Sequence, residues 1–518
     1  MVSSACFCHR KYSNVPIHFS DRLPHYVKRS GSVSRRNGLV ISCCAAVRCA
    51  AGCSRVKTAD SPVEKAQPAL LERQIWTPVS EDNERRFTVS PDNTHIAAVV
   101  RRGDRQALVL DGKEIAVADE ILTYASLLFT AYTPFPGQLT SATANVATFS
   151  NDGAHFAFCV RDGQSQAAVV NGAKQPTFAK VDLPVFSSGG KHFAYRASPD
   201  AKKWLFVVDG KPTETYDSIV EGPLFSPDGN QVAYRASIGV NYFVVANGTR
   251  GRSYSPTGGR NSSLTFSRDG RRLVYEAERD DRRFLVDGSK EIPSQGYINK
   301  ITFSPDSTRL AYAVQGSALM VDGNVAGKFG EVRNIVFSAD SRHLVAAVDA
   351  TSGSVAQHLY RDGAVKLVDG DWMDSASLAI SADGSRVAYA VRRGKDRWVP
   401  VGDGLAPQSD AEHVGPFLFS SDSKHIAFIS KNAGKARVVA DGTPGPESDD
   451  VALMTFSPDG SLVYASREGA TWRLLASSRE VLRCDSLPVG ANVIFEDSRS
   501  FHLVYERNGV FFSSKVRF

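Results

Sequence analysis

The chain has 518 residues, of which 22% are charged and 42% hydrophobic, and its formal net charge is +6. No stretch contains the ~18 consecutive apolar residues of a membrane-spanning helix, which argues against an integral membrane protein. The first 58 residues hold ten Lys and Arg against one acid, Asp21, so the remaining chain is mildly acidic. That charge distribution argues against a nucleic-acid partner for the body of the protein.

Residues 1–53 form a basic leader whose last part has the layout of a secretory signal. A charged start at Arg35 and Arg36 precedes an apolar run over 39–47 and a small-residue site that ends at Cys53. This site resembles a bacterial lipobox, and the resemblance implies cleavage before Cys53 and lipidation of its thiol. Three residues match the small positions of that motif: Ala50, Ala51 and Gly52. The alternative is an unstructured basic tail on a cytosolic protein.

Residues 54–75 follow as a polar, Pro-containing segment that begins "SRVKTADSPVEKAQPAL". Such a composition is typical of a tether that holds a globular body away from a membrane surface. Together, the leader and this tether predict a cell-envelope location with a possible lipid anchor at Cys53. Apart from that anchor, no membrane contact is expected.

The rest of the chain is dominated by one repeated phrase, which reads "FSPDGNQVAY" over 225–234. A degenerate last copy, "FEDSRSFHLVY", brings the number of copies to eleven. After a first gap of 60 residues, the copies recur every 34 to 43 residues, which is the period of a four-stranded propeller blade. The serine of the phrase marks the first ten copies: Ser90, Ser150, Ser187, Ser226, Ser267, Ser304, Ser338, Ser381, Ser420 and Ser457.

Each repeat has the turn chemistry of an antiparallel sheet. In the fourth copy, "GPLFS" predicts a strand, the turn Pro227-Asp228-Gly229 follows, and "NQVAYRAS" predicts the returning strand. A third strand ends in Asp-Gly or Asn-Gly, as in "FVVDGK" and "AAVVNGA", and these dipeptides favour tight hairpins because both residues accept positive φ. A weaker fourth strand is expected in stretches such as "TETYDSIVEG".

The repeat unit resembles the TolB-type propeller repeat, a relative of the WD repeat, over residues 84–518. This resemblance implies an all-β propeller of about eleven four-stranded blades, with short helical turns at most. It implies little about function, because propellers host unrelated activities. The phenylalanines of the phrase, such as Phe225, Phe266 and Phe303, are expected to be buried between blades.

Eleven blades exceed the range of about 4 to 8 that single propellers carry. The sequence therefore predicts two tandem propellers, 76–300 and 301–518, with the boundary between about 290 and 335. One large ring is the alternative. In either arrangement, "ERQIWTPV" at Glu72 would supply an outer strand to the last copy and close a ring.

No catalytic signature is found, so the protein is predicted not to be an enzyme and to need no cofactor.

Six histidines occupy one position of the repeat, called the slot, just before the second strand: His95, His155, His192, His343, His425 and His502. A metal ring is one interpretation of these histidines, but other copies hold Gln or Arg there. We therefore expect a hydrogen bond from the slot to the turn aspartate or its carbonyls. The repeated turn aspartates are expected to form turns rather than to bind a cation.

Two cysteines lie within the repeats, Cys159 and Cys484. We expect each to be a small buried thiol. A disulfide between blades is the alternative.

One insertion breaks the repeat between the first and second copies. It is about 20 residues longer than its counterparts and rich in apolar side chains, and insertions in repeat arrays often form the binding face. It supplies the candidate partner-binding residues Leu127, Leu128, Phe129, Tyr132 and Phe135. Packing over the propeller channel or between two rings is the alternative role.

These observations predict a non-enzymatic, envelope-tethered propeller that presents a surface to a protein partner. The alternative function is a small-ligand or carbohydrate binder, or a lyase-like enzyme, that uses a propeller channel. A channel site would need particular acids, bases or aromatics from several different copies. The alternative location is the cytoplasm.

Overall fold

The computed structural model describes residues 69–78, 86–123, 145–255, 264–316, 318–351, 356–394, 397–403, 405, 411–488 and 490–518. Within these residues all regular structure is β-strand, arranged in eleven antiparallel sheets. No helix among them is long and apolar enough to cross a membrane. The all-β propeller prediction is confirmed.

The sheets follow one another along the chain as blades 1 to 11, and only the first strand, β1 (Ala69–Trp76), leaves this order. Blade 1 contains β2 (Arg86–Val89), β3 (Ile96–Arg102), β4 (Arg105–Leu110) and β5 (Lys113–Ala118). Blade 2 contains β6 (Glu120–Leu122), β7 (Thr148–Phe149), β8 (Phe156–Asp162), β9 (Ser165–Val170) and β10 (Ala173–Phe178). Blade 3 contains β11 (Lys180–Val181), β12 (Val185–Phe186), β13 (Phe193–Ser198), β14 (Leu205–Val208) and β15 (Lys211–Pro212).

The middle blades repeat this order. Blade 4 contains β16 (Ser218–Phe225), β17 (Val232–Ile238), β18 (Asn241–Ala246) and β19 (Thr249–Arg250). Blade 5 contains β20 (Thr265–Phe266), β21 (Leu273–Arg279), β22 (Arg282–Asp287) and β23 (Lys290–Ser294). Blade 6 contains β24 (Ile298–Phe303), β25 (Leu310–Val314), β26 (Ala318–Val321) and β27 (Asn324–Lys328). Blade 7 contains β28 (Glu331–Phe337), β29 (Leu344–Asp349), β30 (Gln357–Arg361) and β31 (Ala364–Leu367).

The last four blades complete the array. Blade 8 has three strands in the described residues, β32 (Trp372–Ile380), β33 (Val387–Arg392) and β34 (Trp398–Gly402). Blade 9 contains β35 (His413–Phe419), β36 (Ile426–Asn432), β37 (Lys435–Ala440) and β38 (Thr443–Pro444). Blade 10 contains β39 (Asp450–Phe456), β40 (Leu462–Glu468), β41 (Thr471–Ala476) and β42 (Arg479–Cys484). Blade 11 contains β43 (Ile494–Asp497), β44 (Ser500–Arg507), β45 (Val510–Arg517) and the N-terminal β1.

The eleven blades close into a single ring. Each blade shares a buried apolar cluster with the next. One cluster joins blade 11 to blade 1: Trp76 and Phe511 of blade 11 pack with Ala98 and Val100 of blade 1. Blade 5 packs on blade 6 through Leu285 and Ile298, across the expected domain boundary. Two separate propellers would instead pack blade 5 on blade 1 and blade 6 on blade 11. The two-propeller prediction, 76–300 and 301–518, is therefore wrong, and the single-ring alternative fits the described residues, which form one compact unit from Gln67 onward.

Strand β1 closes the ring as the outer strand of the last blade. It pairs antiparallel with β45, so that Ala69 lies opposite Arg517 and Trp76 lies opposite Phe511. The aromatic side chains of Trp76 and Phe511 stack, with their ring centroids 5.4 Å apart. The Glu72 carboxylate accepts hydrogen bonds from side chains of β44. The predicted ring closure is confirmed. The tether predicted over 54–75 is too long at its C-terminal end, because its last residues belong to blade 11.

The phrase turn depends on its buried serine. All ten phrase serines are at most 2% exposed. In the ninth copy, the Ser420 hydroxyl donates to Asp422 Oδ1 at 2.6 Å and accepts the backbone N–H of His425 at 2.9 Å. The Ser420 carbonyl also accepts the N–H of Ser423 at 3.0 Å. The hydroxyl thus satisfies the backbone where the first strand ends and the second begins.

The hairpins between third and fourth strands have the predicted geometry. Asp111 and Gly112 have φ values of 50° and 82°, and Asn247 and Gly248 have values of 50° and 77°. Both positions of each turn therefore lie in the left-handed region that Asp-Gly and Asn-Gly tolerate. The same positive φ pairs occur at Asn171-Gly172, Asp209-Gly210, Asp322-Gly323, Asp362-Gly363 and Asp441-Gly442.

Two predictions about the repeat need correction. The stretch "TETYDSIVEG" is not a fourth strand: the fourth strand of blade 3 is only β15, and most of that stretch leads into β16. The phenylalanines Phe225, Phe266 and Phe303 are half-buried rather than fully buried. They end the first strands, and one ring face of Phe303 is covered by the Arg272 guanidinium at 4.9 Å. Most of the fully buried aromatics lie on second strands, as Tyr234 does, whereas Phe206 and Phe511 lie on third strands.

The buried hydroxyl leads to a stability prediction. We expect Ser420→Ala to lower the free energy of unfolding by about 1 to 3 kcal/mol, because it leaves a buried N–H and a turn carboxylate without their partner. Chemical denaturation of the full chain measures this loss. The matched control is Ser421→Ala, at an exposed neighbour in the same turn, which should change stability by less than about 0.5 kcal/mol. Equal effects of the two substitutions would contradict the role of the phrase serine.

Candidate functional site

The slot histidines are tied to the third-strand hairpin rather than to the turn aspartate, so the partner predicted from the sequence is wrong. Nδ1 of His192 lies 2.8 Å from Asp209 Oδ2, and the other Oδ of Asp209 accepts the N–H of Phe193. Three further blades repeat the pair: His95–Asp111, His343–Asp362 and His425–Asp441. In blade 2, His155 faces the amide of Asn171 instead.

Slot residues also reach the neighbouring blade. The His95 ring stacks on Phe149 with centroids 6.5 Å apart. Arg309 places its guanidinium 5.3 Å from the Phe337 centroid and donates to the Arg342 carbonyl at 2.9 Å. The slot therefore joins successive phrases around the ring, which is a structural role. His502 differs, since its Nε2 lies 3.3 Å from Glu496 Oε2.

The repeated aspartates form turns, as predicted. Hydrogen bonds from the serine hydroxyl and the turn backbone lower the pKa of Asp306 and of Asp422 to about 2. These carboxylates therefore stay ionised and occupied by their own turn. The described residues contain no group of three or more His, Cys, Asp or Glu arranged to hold a metal ion.

The two repeat cysteines are buried free thiols, as expected, and no disulfide joins them. Burial raises the pKa of Cys484 to about 12. Since the thiolate is the nucleophile, this cysteine is poorly suited to covalent chemistry.

The other residues singled out from the sequence lie outside the described residues. They are the lipidation candidate Cys53 and the insertion residues Leu127, Leu128, Phe129, Tyr132 and Phe135. Their roles stay predictions.

A different set of polar side chains lies along the inner edge of the ring. The first strands of blades 6 to 9 contact one another in sequence, β24 with β28, β28 with β32 and β32 with β35, so they form the wall nearest the centre. Around the ring, charged residues on or next to first strands form ion pairs with charged residues of second strands. We call them the inner-edge pairs: Glu120–Arg161, Asp182–Arg196, Glu221–Arg235, Arg333–Asp349 and Lys431–Asp450.

The most buried of these pairs is structural. Arg235 and Glu221 have side chains only 10% and 18% exposed, with Nε and Oε2 3.7 Å apart. Burial raises the pKa of Glu221. Its carboxylate accepts the N–H of Leu264 at 2.6 Å, just as Glu276 accepts the N–H of Ile298 at 3.0 Å. These acids anchor the first strand of the following blade.

A second group combines titratable side chains from three blades. Asp374 belongs to blade 8, His413 and Lys431 belong to blade 9, and Asp450 belongs to blade 10. Burial raises the pKa of Asp374, whereas burial and the Lys431 charge lower the pKa of His413. The Lys431 ammonium donates to Asp450 at 3.2 Å. The group therefore places a carboxyl group, an imidazole and an ammonium–carboxylate pair from three blades near one another.

An exposed aromatic side chain lies beside this group. Trp372, the first residue of β32, is 37% exposed, and the Arg333 guanidinium lies 4.5 Å from its ring centroid. Arg333 is held in turn by two hydrogen bonds to Asp349, at 2.9 and 2.6 Å, and by Glu331 at 3.1 Å. The indole is thus supported on one side by a fixed cation.

Sequence reasoning missed the inner-edge residues, although a signal was present. Four titratable residues from the inner-edge pairs and their surroundings lie six residues before the last residue of their first strand: Glu331, Asp374, His413 and Asp450. Aligning the copies on the phrase would place all four in one column. The copies differ at that position, so the repeat pattern by itself does not single it out.

Comparisons with known proteins add little. No protein-family model matches the chain, and no curated protein matches it. Solved structures include one described as the crystal structure of the eukaryotic initiation factor, at 12% identity and a TM-score of 0.38, covering 67% of this chain and 89% of that one. Oligogalacturonate lyase in complex with manganese matches at 13% identity and 0.29, covering 58% and 96%. Dihydro-heme d1 dehydrogenase NirN matches at 16% identity and 0.31, covering 58% and 72%.

Each of these TM-scores is low, so the likenesses carry no argument about activity. The propeller assignment depends on the sheet topology and on the cyclic order of the shared cores.

The histidine slot leads to a pH prediction. The hydrogen bond to Asp111 raises the pKa of His95 above its ordinary value of 6.5. A histidine whose pKa is higher in the folded than in the unfolded state stabilises the folded protein. This stabilisation is fully present below the unfolded-state pKa and is lost as the pH rises through the folded-state pKa. We therefore expect Asp111→Asn to lower the unfolding midpoint more at about pH 5.5 than at about pH 9.

The matched control is Asp322→Asn, because Asp322 makes the same hairpin contacts but pairs with Arg309 at 3.1 Å. A guanidinium keeps its charge throughout this range, so the loss should be the same at both pH values. Thermal unfolding of the full chain provides the measurement. A loss at Asp111 that does not change with pH would contradict the role of the histidine charge.

Proposed function

We propose that this chain is a non-enzymatic propeller scaffold, tethered to the cell envelope, that binds a protein partner. The observation that carries the proposal is that the repeated polar residues are engaged in hydrogen bonds and packing contacts of the fold itself. The phrase serines bond to the turn aspartates, as Ser420 does to Asp422, and slot histidines bond to hairpin aspartates, as His425 does to Asp441, or stack on the next blade, as His95 does. These groups stabilise the ring and leave little repeated chemistry for a reaction.

A partner surface must then come from residues that differ between blades. The insertion, which lies in the chain between β6 and β7 of blade 2, is the largest such difference in the sequence, and its apolar composition suits a partner contact. Its candidate contact residues are the five named above, centred on Phe129.

The second candidate function is binding of a small ligand or carbohydrate at the centre of the ring, or a lyase-like reaction there. The observation that favours it is the group around Asp374 and His413, which draws unlike side chains from three blades. Such convergence is typical of a ligand site rather than of a repeat.

The partner proposal is tested by co-purification. Full-length protein carrying Phe129→Ser and Tyr132→Ser should lose proteins that chemical cross-linking joins to the wild type in an envelope fraction. The control is Val240→Ser, at a side chain that is 76% exposed in another blade. The proposal fails if the wild type cross-links to no protein, or if the double variant retains the same proteins as the wild type and the control.

The tether proposal is tested separately through Cys53. If Cys53 is lipidated, the mature protein begins at that residue, carries acyl chains and sediments with membranes, since more than one chain is needed for stable anchoring. Cys53→Ser should abolish both the added mass and the sedimentation, whereas the control Cys49→Ser should behave like the wild type. Intact-mass analysis of an unmodified chain that retains residues 33–52 would overturn the tether.

A further inference from the structure

The strongest unassigned feature is Trp372, at the inner edge of blade 8. Ten large hydrophobic side chains in the described residues are more than a third exposed, and Trp372 is the one aromatic residue among them. An aromatic ring of this size exposed at an inner edge is typical of a ligand contact, because burying it on binding removes much apolar area from water.

The backbone holds this tryptophan in place. Gly370 precedes it, and a Cβ at that position would lie 1.9 Å from the Val391 side chain. The N–H of Asp371 donates to the Arg392 carbonyl at 2.9 Å, and the Asp371 carboxylate accepts the N–H of Gly394 at 2.5 Å. The next side chain, Met373, is fully buried in the core between blades 7 and 8. The indole is therefore positioned without any ligand.

The charges around the ring limit what it can bind. The Arg333 guanidinium already lies over the ring, so a cationic ligand would meet a like charge. An anionic ligand would meet the carboxylate of Glu331, which is 52% exposed and lies 3.1 Å from the same guanidinium. A neutral ligand avoids both repulsions.

Hydrogen-bonding groups of both kinds lie next to Trp372 in the strand register and in the chain. Arg392 lies directly opposite Trp372 in the strand register, so its exposed side chain is on the same face of the sheet. Arg393 and Asp369 form an exposed pair with 2.8 Å between Nη2 and Oδ2. Guanidinium groups donate and carboxylates accept, which together match the hydroxyl groups of a sugar.

We propose that Trp372 is a stacking platform for a neutral saccharide, whose hydroxyl groups bond to Arg392, Arg393 and Asp369. The C–H face of a sugar ring provides the apolar surface that packs on the indole, and its hydroxyl groups provide the polar edge. This proposal deepens the ligand-binding alternative and does not depend on a protein partner.

The experiment applies the full chain to an array of neutral, acidic and amino-containing glycans, and then titrates the tightest neutral oligosaccharide by calorimetry. We expect neutral glycans to be retained in preference to charged ones. Trp372→Ala should weaken the titrated affinity at least tenfold, and Trp372→Tyr should recover part of it. The matched control is Leu367→Ala, at an apolar side chain that is 60% exposed on the preceding strand, and it should leave the affinity unchanged.

The outcomes separate two failures. If neutral glycans bind and Trp372→Ala binds them equally well, the platform is wrong while ligand binding stands. If no neutral glycan binds the wild type, both the platform and the carbohydrate alternative are overturned. Selective loss of a cross-linked protein in Trp372→Ala, without glycan binding, would assign the tryptophan to a protein partner instead. Unchanged unfolding midpoints establish that each variant is folded.

Discussion

The architecture depends on one buried hydroxyl in each of the first ten blades. The phrase serine accepts a backbone N–H from the start of the second strand and donates to the turn aspartate, as Ser267 does with Arg272 and Asp269. A tight turn next to a packed sheet leaves backbone groups that water cannot reach, and an unmade hydrogen bond there is costly. The serine supplies the missing partner. It is therefore the most constant residue of the repeat.

The ring follows from the faces of the sheets. A four-stranded blade has two apolar faces, so it buries both only between two neighbours. Blade 11 reaches blade 1 through Trp76 and Phe511, which leaves no terminal face uncovered. Between neighbouring turns the space is narrow: a Cβ at Gly270 would lie 2.5 Å from Asp228 Oδ1 of the preceding blade. Small residues at this position let successive turns approach, and slot side chains bridge the remaining gap.

The residues that repeat from blade to blade and the candidate functional residues lie at different positions of the blades. Where all blades agree, side chains bond within the fold, and the histidine slot that resembled a metal ring is used for hairpin contacts. Where blades disagree, along the inner edge, Asp374, His413 and Trp372 combine partly buried titratable groups with an exposed aromatic surface. This division explains why the candidate site was harder to find than the fold: a repeat pattern shows what is shared, and a site in a propeller is built from what is not.

The sequence by itself determined most of the strands, the turns, the blade count and the closing strand, because these depend on local chemistry: the positive φ of Asp111 and Gly112, or the Ser-x-Asp turn. Only the tertiary structure decided that eleven blades form one ring, because that depends on which sheet covers which face, as Leu285 and Ile298 do between blades 5 and 6. Likewise, the half-burial of Phe303 and the placement of Arg333 against Trp372 depend on side chains more than 30 residues apart, whose proximity no local pattern contains.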